Sequence, residues 1–359
     1  MGIIYFFVSL VLVSYSIFIV YIIIQFEKNA QKSNLSEALI SIIIPCRNEA
    51  FNIIECLESI SKQSIFNNDY EVIVIDDHSE DNTFEIASNY KDIKNLRVIK
   101  NNLEGKKNAL SLGISLAKNN LILTTDADCK MAEKWAENMR NIFISYNLNM
   151  LCAPINFIET ETIFSQLQQA ESAAIVGLSA TMLNTHKPTT CNGANLMFSK
   201  TVFNHLGGYA QHANIATGDD DLLLQQFYKL DKQKVAYTIH KDSMVYTQAA
   251  TTFENFIHQR SRWLAKRKLY IYPYNKYLQS LIALHLIAFY FAFFVFTPFS
   301  LSLIALKYLV DIAYSIKLKQ HFSFKIFTVI LMPFYQNYIF ILLLSMPFVQ
   351  PKWKGRKLN

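Results

Sequence analysis

Three clusters of polar side chains interrupt apolar runs of the chain, and each holds residue types able to do chemistry. They are Pro45-Cys46-Arg47-Asn48-Glu49, Asp76-Asp77-His78-Ser79 and Thr125-Asp126-Ala127-Asp128. Asp126 and Asp128, one residue apart, can meet at one hard cation. Mg²⁺ or Mn²⁺ held by one or two carboxylates takes its other ligands from substrate phosphates and neutralises a diphosphate leaving group. A DxD pattern alone arises often by chance; its place after an apolar strand-like run gives it weight. Asp76 and Asp77 read as functional because they accompany the other two clusters, whereas Ser79 and Asp81 read as helix caps. Gly105-Lys106-Lys107-Asn108 opens a helix and offers a lysine to a phosphate.

Three later segments add to the set. In Cys191-Asn192-Gly193-Ala194-Asn195 a glycine flanked by amides suits close backbone approach to a polyhydroxylated ligand, or a plain turn. Thr217-Gly218-Asp219-Asp220-Asp221-Leu222-Leu223 crowds three aspartates before an apolar helix. Like charges repel, so capping alone does not account for them; one, with its pKa raised in a cleft, would serve as general base. In His258-Gln259-Arg260-Ser261-Arg262-Trp263, arginine suits a bidentate grip on diphosphate and tryptophan offers a sugar-stacking face. The following Lys266, Arg267 and Lys268 suit an interface with anionic lipid.

Several classes are disfavoured. No GxxxxGK[ST] is present, and no GxGxxG follows the first strand, which speaks against a P-loop ATPase and a dinucleotide oxidoreductase. The five cysteines lie far apart without a CxxC, so a disulfide framework or zinc site is not expected and a reducing compartment is. The net charge of +6 suits an anionic membrane or a phosphate-bearing ligand and is too small to indicate nucleic acid.

The elements that must position these residues alternate. Strand-like runs at 39–45, 71–77, 96–99 and 121–126 are separated by helical patterns at 50–60, 84–90 and 106–117. The order predicts an α/β fold with a mostly parallel sheet flanked by helices. Ligands on such sheets bind at the carboxyl ends of the strands, where the three clusters fall.

The flanks differ. Hydrophobic residues make up 52% of the chain and charged residues 17%, against about 25% for an ordinary soluble domain. Residues 1–26 carry no charged side chain and are long enough to cross a bilayer. They lack the basic start and small-residue cleavage site of a signal peptide, so residues 1–27 read as an uncleaved anchor, followed by a linker at 28–38. Lys28 and Lys32 place the segment after it in the cytosol. A soluble domain at 39–270 precedes a membrane region at 271–349, with spans expected at 278–297, 299–316 and 326–349. Lys307 and Asp311, four apart on one face of the second of these, are expected to pair near its cytosolic end. The last stretch contains Pro333 and Pro347 and lies between a basic linker and a basic tail at 350–359, so it reads as a crossing or a re-entrant segment.

PCRNE, VIDDHS, GKKNAL, TTDAD, NGAN, GDDDLLL and QRSRW, in that order over about residues 39–270, resemble the membrane-bound glycosyltransferases of family 2, which have the GT-A fold. The resemblance implies that Asp77 holds the uracil ring, that Pro45 and Glu49 line the nucleotide pocket, and that Lys106 is the lysine of the GK motif. It implies a nucleotide-sugar role for Asp126, Gly193 and Asn195, with Asp126 and Asp128 as the DxD pair and Asp128 contacting the metal, Mg²⁺ or Mn²⁺. Asp219-Asp220 stands where the family has Glu-Asp, making Asp220 the catalytic base and leaving the assignment among the three aspartates open. Gln259, Arg262 and Trp263 fit QxxRW, placed near the diphosphate and the acceptor.

The expectation is therefore an inverting hexosyltransferase of the inner membrane, its catalytic domain cytosolic, using a UDP-linked sugar and a lipid or glycolipid acceptor. Few spans, nearly devoid of ionisable groups, and a Trp353-Lys354-Gly355-Arg356 tail like those of lipid-modifying enzymes favour that acceptor over a growing polysaccharide. A processive synthase and a silent partner subunit are the alternatives, and homo-oligomerisation is compatible with either.

Overall fold

The computed structural model describes residues 2–26, 35–66, 68–210, 220–265, 269–331, 341, 352–353 and 356–357. The chain opens with α1 (Gly2–Phe26), apolar on every side. Its Ser9 and Ser16 hydroxyls donate to the carbonyls of Tyr5 and Leu12, 2.7 and 2.9 Å away, so neither side chain faces lipid unsatisfied.

Then follow β1 (Ile40–Cys46), α2 (Ile53–Ser61), β2 (Tyr70–Asp76), α3 (Thr83–Ser88), β3 (Leu96–Lys100), α4 (Lys106–Leu116), β4 (Leu121–Thr124), β5 (Lys130–Met131), α5 (Trp135–Ser145), β6 (Met150–Cys152), β7 (Ile155–Phe157), α6 (Ile163–Asn184), β8 (Leu196–Ser199), α7 (Lys200–His205), α8 (Asp221–Leu230), β9 (Val235–Tyr237), β10 (Val245–Thr247) and α9 (Phe253–Ala265). The main sheet runs β3-β2-β1-β4-β8-β6-β9; β3, β2, β1 and β4 are parallel and only β8 runs against its neighbours. Every residue of β1 and β2 is buried, as a parallel sheet with helices on both faces requires. A second sheet, β5-β10-β7, lies beside it.

Register lines up the strand ends. Cys46 pairs with Asp76, and Ile43 with Thr124, so the segments after β1, β2 and β4 leave the sheet side by side. The helix expected from residue 50 begins at Ile53, because Asn48 turns the chain through a left-handed φ of 53° first. On α4, Gly113 lets the helix press onto the sheet: a Cβ there would stand 2.5 Å from Ile43 Cγ2. That close approach sets the height of Lys106 above the strand ends.

The membrane helices are α10 (Pro273–Val295) and α11 (Pro298–Lys319), which with α1 are the three described helices long and apolar enough to cross a bilayer. α10 begins five residues earlier than the charge-free run, because Pro273 supplies a favourable first helical residue and Lys276 is tolerated in the first turns. The turn between them is explicit: Phe296 is left-handed, Thr297 caps α11 in a reciprocal box with Ser300, and Pro298 follows at its start. Lys307 and Asp311 pair at 2.5 Å as expected, in the middle of α11 rather than near its end, and the Tyr15 hydroxyl of α1 donates to Asp311 at 2.9 Å. The third expected span falls mostly outside the described residues, where 326–331 are helical; near the chain's end β11 (Lys352–Trp353) pairs with β12 (Arg356–Lys357).

The membrane bundle rests on the α/β domain through α6. Gly177 is the point of contact: a Cβ there would come within 2.6 Å of Leu318 and 2.9 Å of Phe26 and of the Tyr314 hydroxyl. Tyr314 donates to the Ala174 carbonyl at 3.0 Å.

Candidate active site

The loops after β1 and β2 are laced together. Arg47 donates to the Asp77 carbonyl at 3.1 Å and to Glu80 at 3.2 Å; the Asn48 N–H donates to Ser79, and the Glu80 N–H to Asn48. Glu49 is buried, its N–H donating to Thr83 Oγ1 and its carboxylate accepting from Asn52. Pro45 is the last residue but one of β1, buried beside Ile75. Asp81 accepts the N–H groups of Ala50 and Thr83, each at 3.1 Å, and so ties the segment before α2 to the first residue of α3, although the residue at the N-cap of α3 is Asn82. Burial opposes ionisation of Asp81, but the hydrogen bonds from Thr83 and Ala50 outweigh it and hold the carboxyl below its usual value.

Asp77 is 1% exposed. Both its oxygens accept the Gly105 N–H, at 2.9 and 3.1 Å, and Oδ1 also accepts from Asn101 at 3.0 Å. Gly105 has a φ of 114°, open to glycine alone among ordinary residues. Asp77 therefore shapes the turn that starts α4, and any hold on a nucleotide base shares a carboxylate already engaged. Lys106, next in the chain, extends its ammonium to Asp126, 2.8 Å from Oδ1 and 3.0 Å from Oδ2.

Asp126 and Asp128 follow β4, both partly exposed. Beneath them lie Cys56 and Cys129: Cys56 Sγ donates to the Asp126 carbonyl at 3.6 Å and Cys129 Sγ to Asp128 at 3.5 Å. Burial first, and then the Asp128 and Asp126 charges, push both thiols well up, so they stay protonated and inert. Two partly exposed carboxylates over a protonated floor, one of them already paired with Lys106, fit a cation that draws its remaining ligands from a diphosphate. No cluster of three or more acidic, histidine or cysteine ligands exists among the described residues.

The Asn192 loop reaches the same place from the other side. Thr124 Oγ1, at the end of β4, donates to the Gly193 carbonyl at 2.6 Å. Asn195 departs from expectation. It is 0% exposed, its amide donates to Pro154 and Ser243 carbonyls, and its oxygen accepts from Trp135. Its groups hold the loop in the protein and leave the side chain no reach toward a sugar.

Of the three aspartates, Asp219 lies outside the described residues. Asp220 caps α8, partly exposed, its carboxylate accepting the Asp221 N–H at 2.7 Å. Asp221 is 0% exposed and accepts from Thr190 Oγ1, the Cys191 N–H and the Tyr270 hydroxyl. It is an anchor with no path to a substrate, which narrows the assignment of a base. The Asp220 and Asp221 charges lie close enough to raise the Cys191 thiol, after burial and the neighbouring Cys152. Hydrogen bonds at either end of the short chain segment 191–193 thus link Thr124 to Asp221 and Asp220.

On α9, the anchoring arginine is one that the QxxRW pattern passes over. Arg260 is 2% exposed, pairs with Glu171 of α6, and lies 4.5 Å over Phe256 and 4.3 Å over the Trp263 ring. Gln259 accepts from Arg260. One face of Trp263 is therefore covered by a cation, while Arg262 remains partly exposed. The signal for Arg260 was available as Glu171, the sole acid in the stretch QLQQAESAAIVGL.

Residues 41–207 match the family described as Glycosyl transferase family 2. The chain is 26% identical over 190 residues to Glycosyltransferase AglE of Haloferax volcanii, covering 50% of this chain and 58% of that protein. It is 26% identical over 288 residues to a probable glycosyltransferase of Sulfolobus acidocaldarius, covering 73% and 59%. The chain spans less than two thirds of the length of these relatives. Among solved structures, the mannosyltransferase PcManGT from Pyrobaculum calidifontis, in complex with GDP-Man and Mn2+, is similar in fold with a TM-score of 0.61 at 15% identity, covering 95% of this chain and 98% of that one. The parallel sheet from β1 to β4 and the carboxylates at its strand ends lie within the segment, residues 41–207, that is similar to glycosyl transferase family 2, and the fold is of the GT-A type.

Proposed function

We propose that the protein transfers a sugar, with inversion, from a UDP-linked donor to a hydroxyl of a membrane-associated lipid or glycolipid. The observation that carries this reading is the line of contacts joining the Asp126-Asp128 loop to Asp220 through Thr124, Gly193, Cys191 and Asp221, on a domain seated directly on apolar helices.

The donor's diphosphate lies over the strand ends between Lys106 and the Asp126-Asp128 pair. A divalent cation held by Asp126 and Asp128 would supply positive charge to the leaving diphosphate. Lys106 shares its ammonium between Asp126 and the phosphates, and Arg262 adds a planar donor pair. Asp77 fixes Gly105 and with it the direction of Lys106. Asp220, partly exposed at the cap of α8, takes the proton of the acceptor hydroxyl as its oxygen attacks the anomeric carbon. One base and one displacement invert that carbon. The acceptor arrives from the side of the apolar helices, and the catalytic domain lies in the cytosol.

The test is sugar transfer by purified protein in micelles, screened over UDP-sugars with Mn²⁺ or Mg²⁺ and read as released UDP. Asp220→Asn is expected to lower turnover by a factor of about 10²–10⁴, the range of a lost general base. Near wild-type turnover in that variant would remove Asp220 from the role. A product extractable into organic solvent supports a single lipid addition; a water-soluble chain supports processive synthesis.

A further inference from the structure

Residues 270–275, which lead into α10, are fastened to the aspartate cluster and its neighbouring loop. The Tyr270 hydroxyl donates to Asp221 Oδ2 at 2.5 Å. The next residue, Ile271, donates its N–H to Gln225 Oε1 at 2.6 Å, and Gln225 is 0% exposed, one turn along α8 from Asp221. Tyr272 packs edge-on against Tyr228 of α8 at 5.6 Å. Tyr274 and Asn275, in the first turn of α10, both donate to the Pro188 carbonyl, at 2.7 and 3.3 Å.

The same two elements are tied on the other side of Asp221. Its Oδ1 accepts from Thr190 Oγ1 at 2.7 Å and from the Cys191 N–H at 2.9 Å. Tyr228 donates to the His186 carbonyl at 2.8 Å. One buried carboxylate thus joins three segments distant in sequence: the loop at 186–195, the first turn of α8, and the strap at 270–275. A buried carboxylate requires such donors, and each loses little entropy because it is held by its own element. Asp220 is the residue immediately before this knot, and its carboxylate accepts the Asp221 N–H.

We propose that Asp221 and Tyr270 are positioning residues: through the strap they fix the orientation of Asp220 and tie it to the foot of membrane helix α10. The proposal rests on the reading of Asp220 as base and adds that the base is set from the membrane side. Lys106 and Asp126 lie on other elements and are not part of the knot.

The experiment compares Tyr270→Phe, which deletes one hydroxyl and keeps the ring, with Asp220→Asn, in full-length protein in micelles. Tyr270→Phe is expected to lower kcat about tenfold or more, as loss of a hydrogen bond to a charged group does, with donor KM and the affinity for UDP plus Mn²⁺ within about twofold of wild type. Hydrogen exchange is expected to quicken at residues 188–192 and 220–224 and to stay unchanged at 101–105. Where Asp220→Asn is impaired, unchanged kcat in Tyr270→Phe overturns the proposal, whatever the exchange shows. A fall in kcat with exchange quickened throughout the domain also overturns it, since that marks general loosening. If Asp220→Asn keeps its turnover, the base assignment fails by itself; quickened exchange confined to the two named segments would then still establish the knot, and unchanged exchange would refute it.

Discussion

The ammonium of Lys106 lies 2.8 Å from one oxygen of Asp126 and 3.0 Å from the other, so an internal cation sits against the carboxylate that the DxD pattern assigns to a metal. Both side chains are partly exposed, at 21% and 31%, and either can move. A divalent ion arriving without nucleotide has to compete with this ammonium. Lys106→Met is therefore expected to raise the affinity for Mn²⁺ alone severalfold, measured by the spin signal of free Mn²⁺. The same variant is expected to weaken UDP binding in saturating Mn²⁺, because the phosphates lose a donor. A fall in Mn²⁺ affinity would show that Lys106 supports the metal site instead of competing for it.

Arg260 and Arg262 stand two residues apart on α9 and are expected to fail differently. Arg260 and Glu171 are 2% and 6% exposed. Removing one partner strands a buried charge, at a cost of roughly 3–5 kcal/mol, while removing both is far milder. Arg260→Met should therefore lower stability by that order in denaturant unfolding, and Arg260→Met with Glu171→Leu should recover most of it. Arg262→Ala is expected to keep the wild-type melting transition and lose turnover. An Arg262 variant that melts early with normal turnover per folded molecule would exchange the two roles.

The strand ends were legible in the sequence because apolar strands of β-branched residues are hard to mistake, and because polar clusters placed after them have few structural excuses. The placement of Asp76, Asp77 and Asp126 follows from that logic. Asn195 and Asp221 do not. Both are polar, two residues from a glycine or next to another acid, and both are fully buried anchors whose partners lie far off in sequence: Trp135, Pro154 and Ser243 for Asn195, Thr190 and Tyr270 for Asp221. Spacing along a chain cannot report a donor that arrives from another element. The strap at 270–275 was invisible for the same reason: its partners Asp221, Gln225 and Pro188 lie on α8 and the preceding loop.

Asp81 gives a pH test that needs no substrate. Its carboxyl is held below the ordinary value by hydrogen bonds from Thr83 and Ala50, against the effect of burial. A depressed native value stabilises the fold above the unfolded value of about 3.9, and that contribution fades as pH falls through the native value. Asp81→Asn is expected to be less stable than wild type at pH 7, and the gap is expected to shrink below about pH 4. A gap independent of pH would mean that the side chain acts by shape, not by charge.

The Lys307–Asp311 pair tests what holds the membrane helices together. Lys307 is 2% exposed, with the Phe289 ring of α10 at 5.3 Å, and Asp311 also accepts from Tyr15 of α1. Three helices thus meet at one neutralised pair. Asp311→Leu leaves the ammonium alone among apolar groups and is expected to destabilise the bundle by roughly 3–5 kcal/mol. Lys307→Met with Asp311→Leu removes both charges but orphans the Tyr15 hydroxyl, worth about 1–3 kcal/mol when left unsatisfied. Adding Tyr15→Phe removes that remainder, so the triple variant is expected to approach wild type in unfolding by increasing detergent. Each step has a sign: the single variant worst, the double intermediate, the triple best. Costs that simply add from single to triple would mean that each group is stabilising in its own right, and that the pair acts beyond mutual neutralisation.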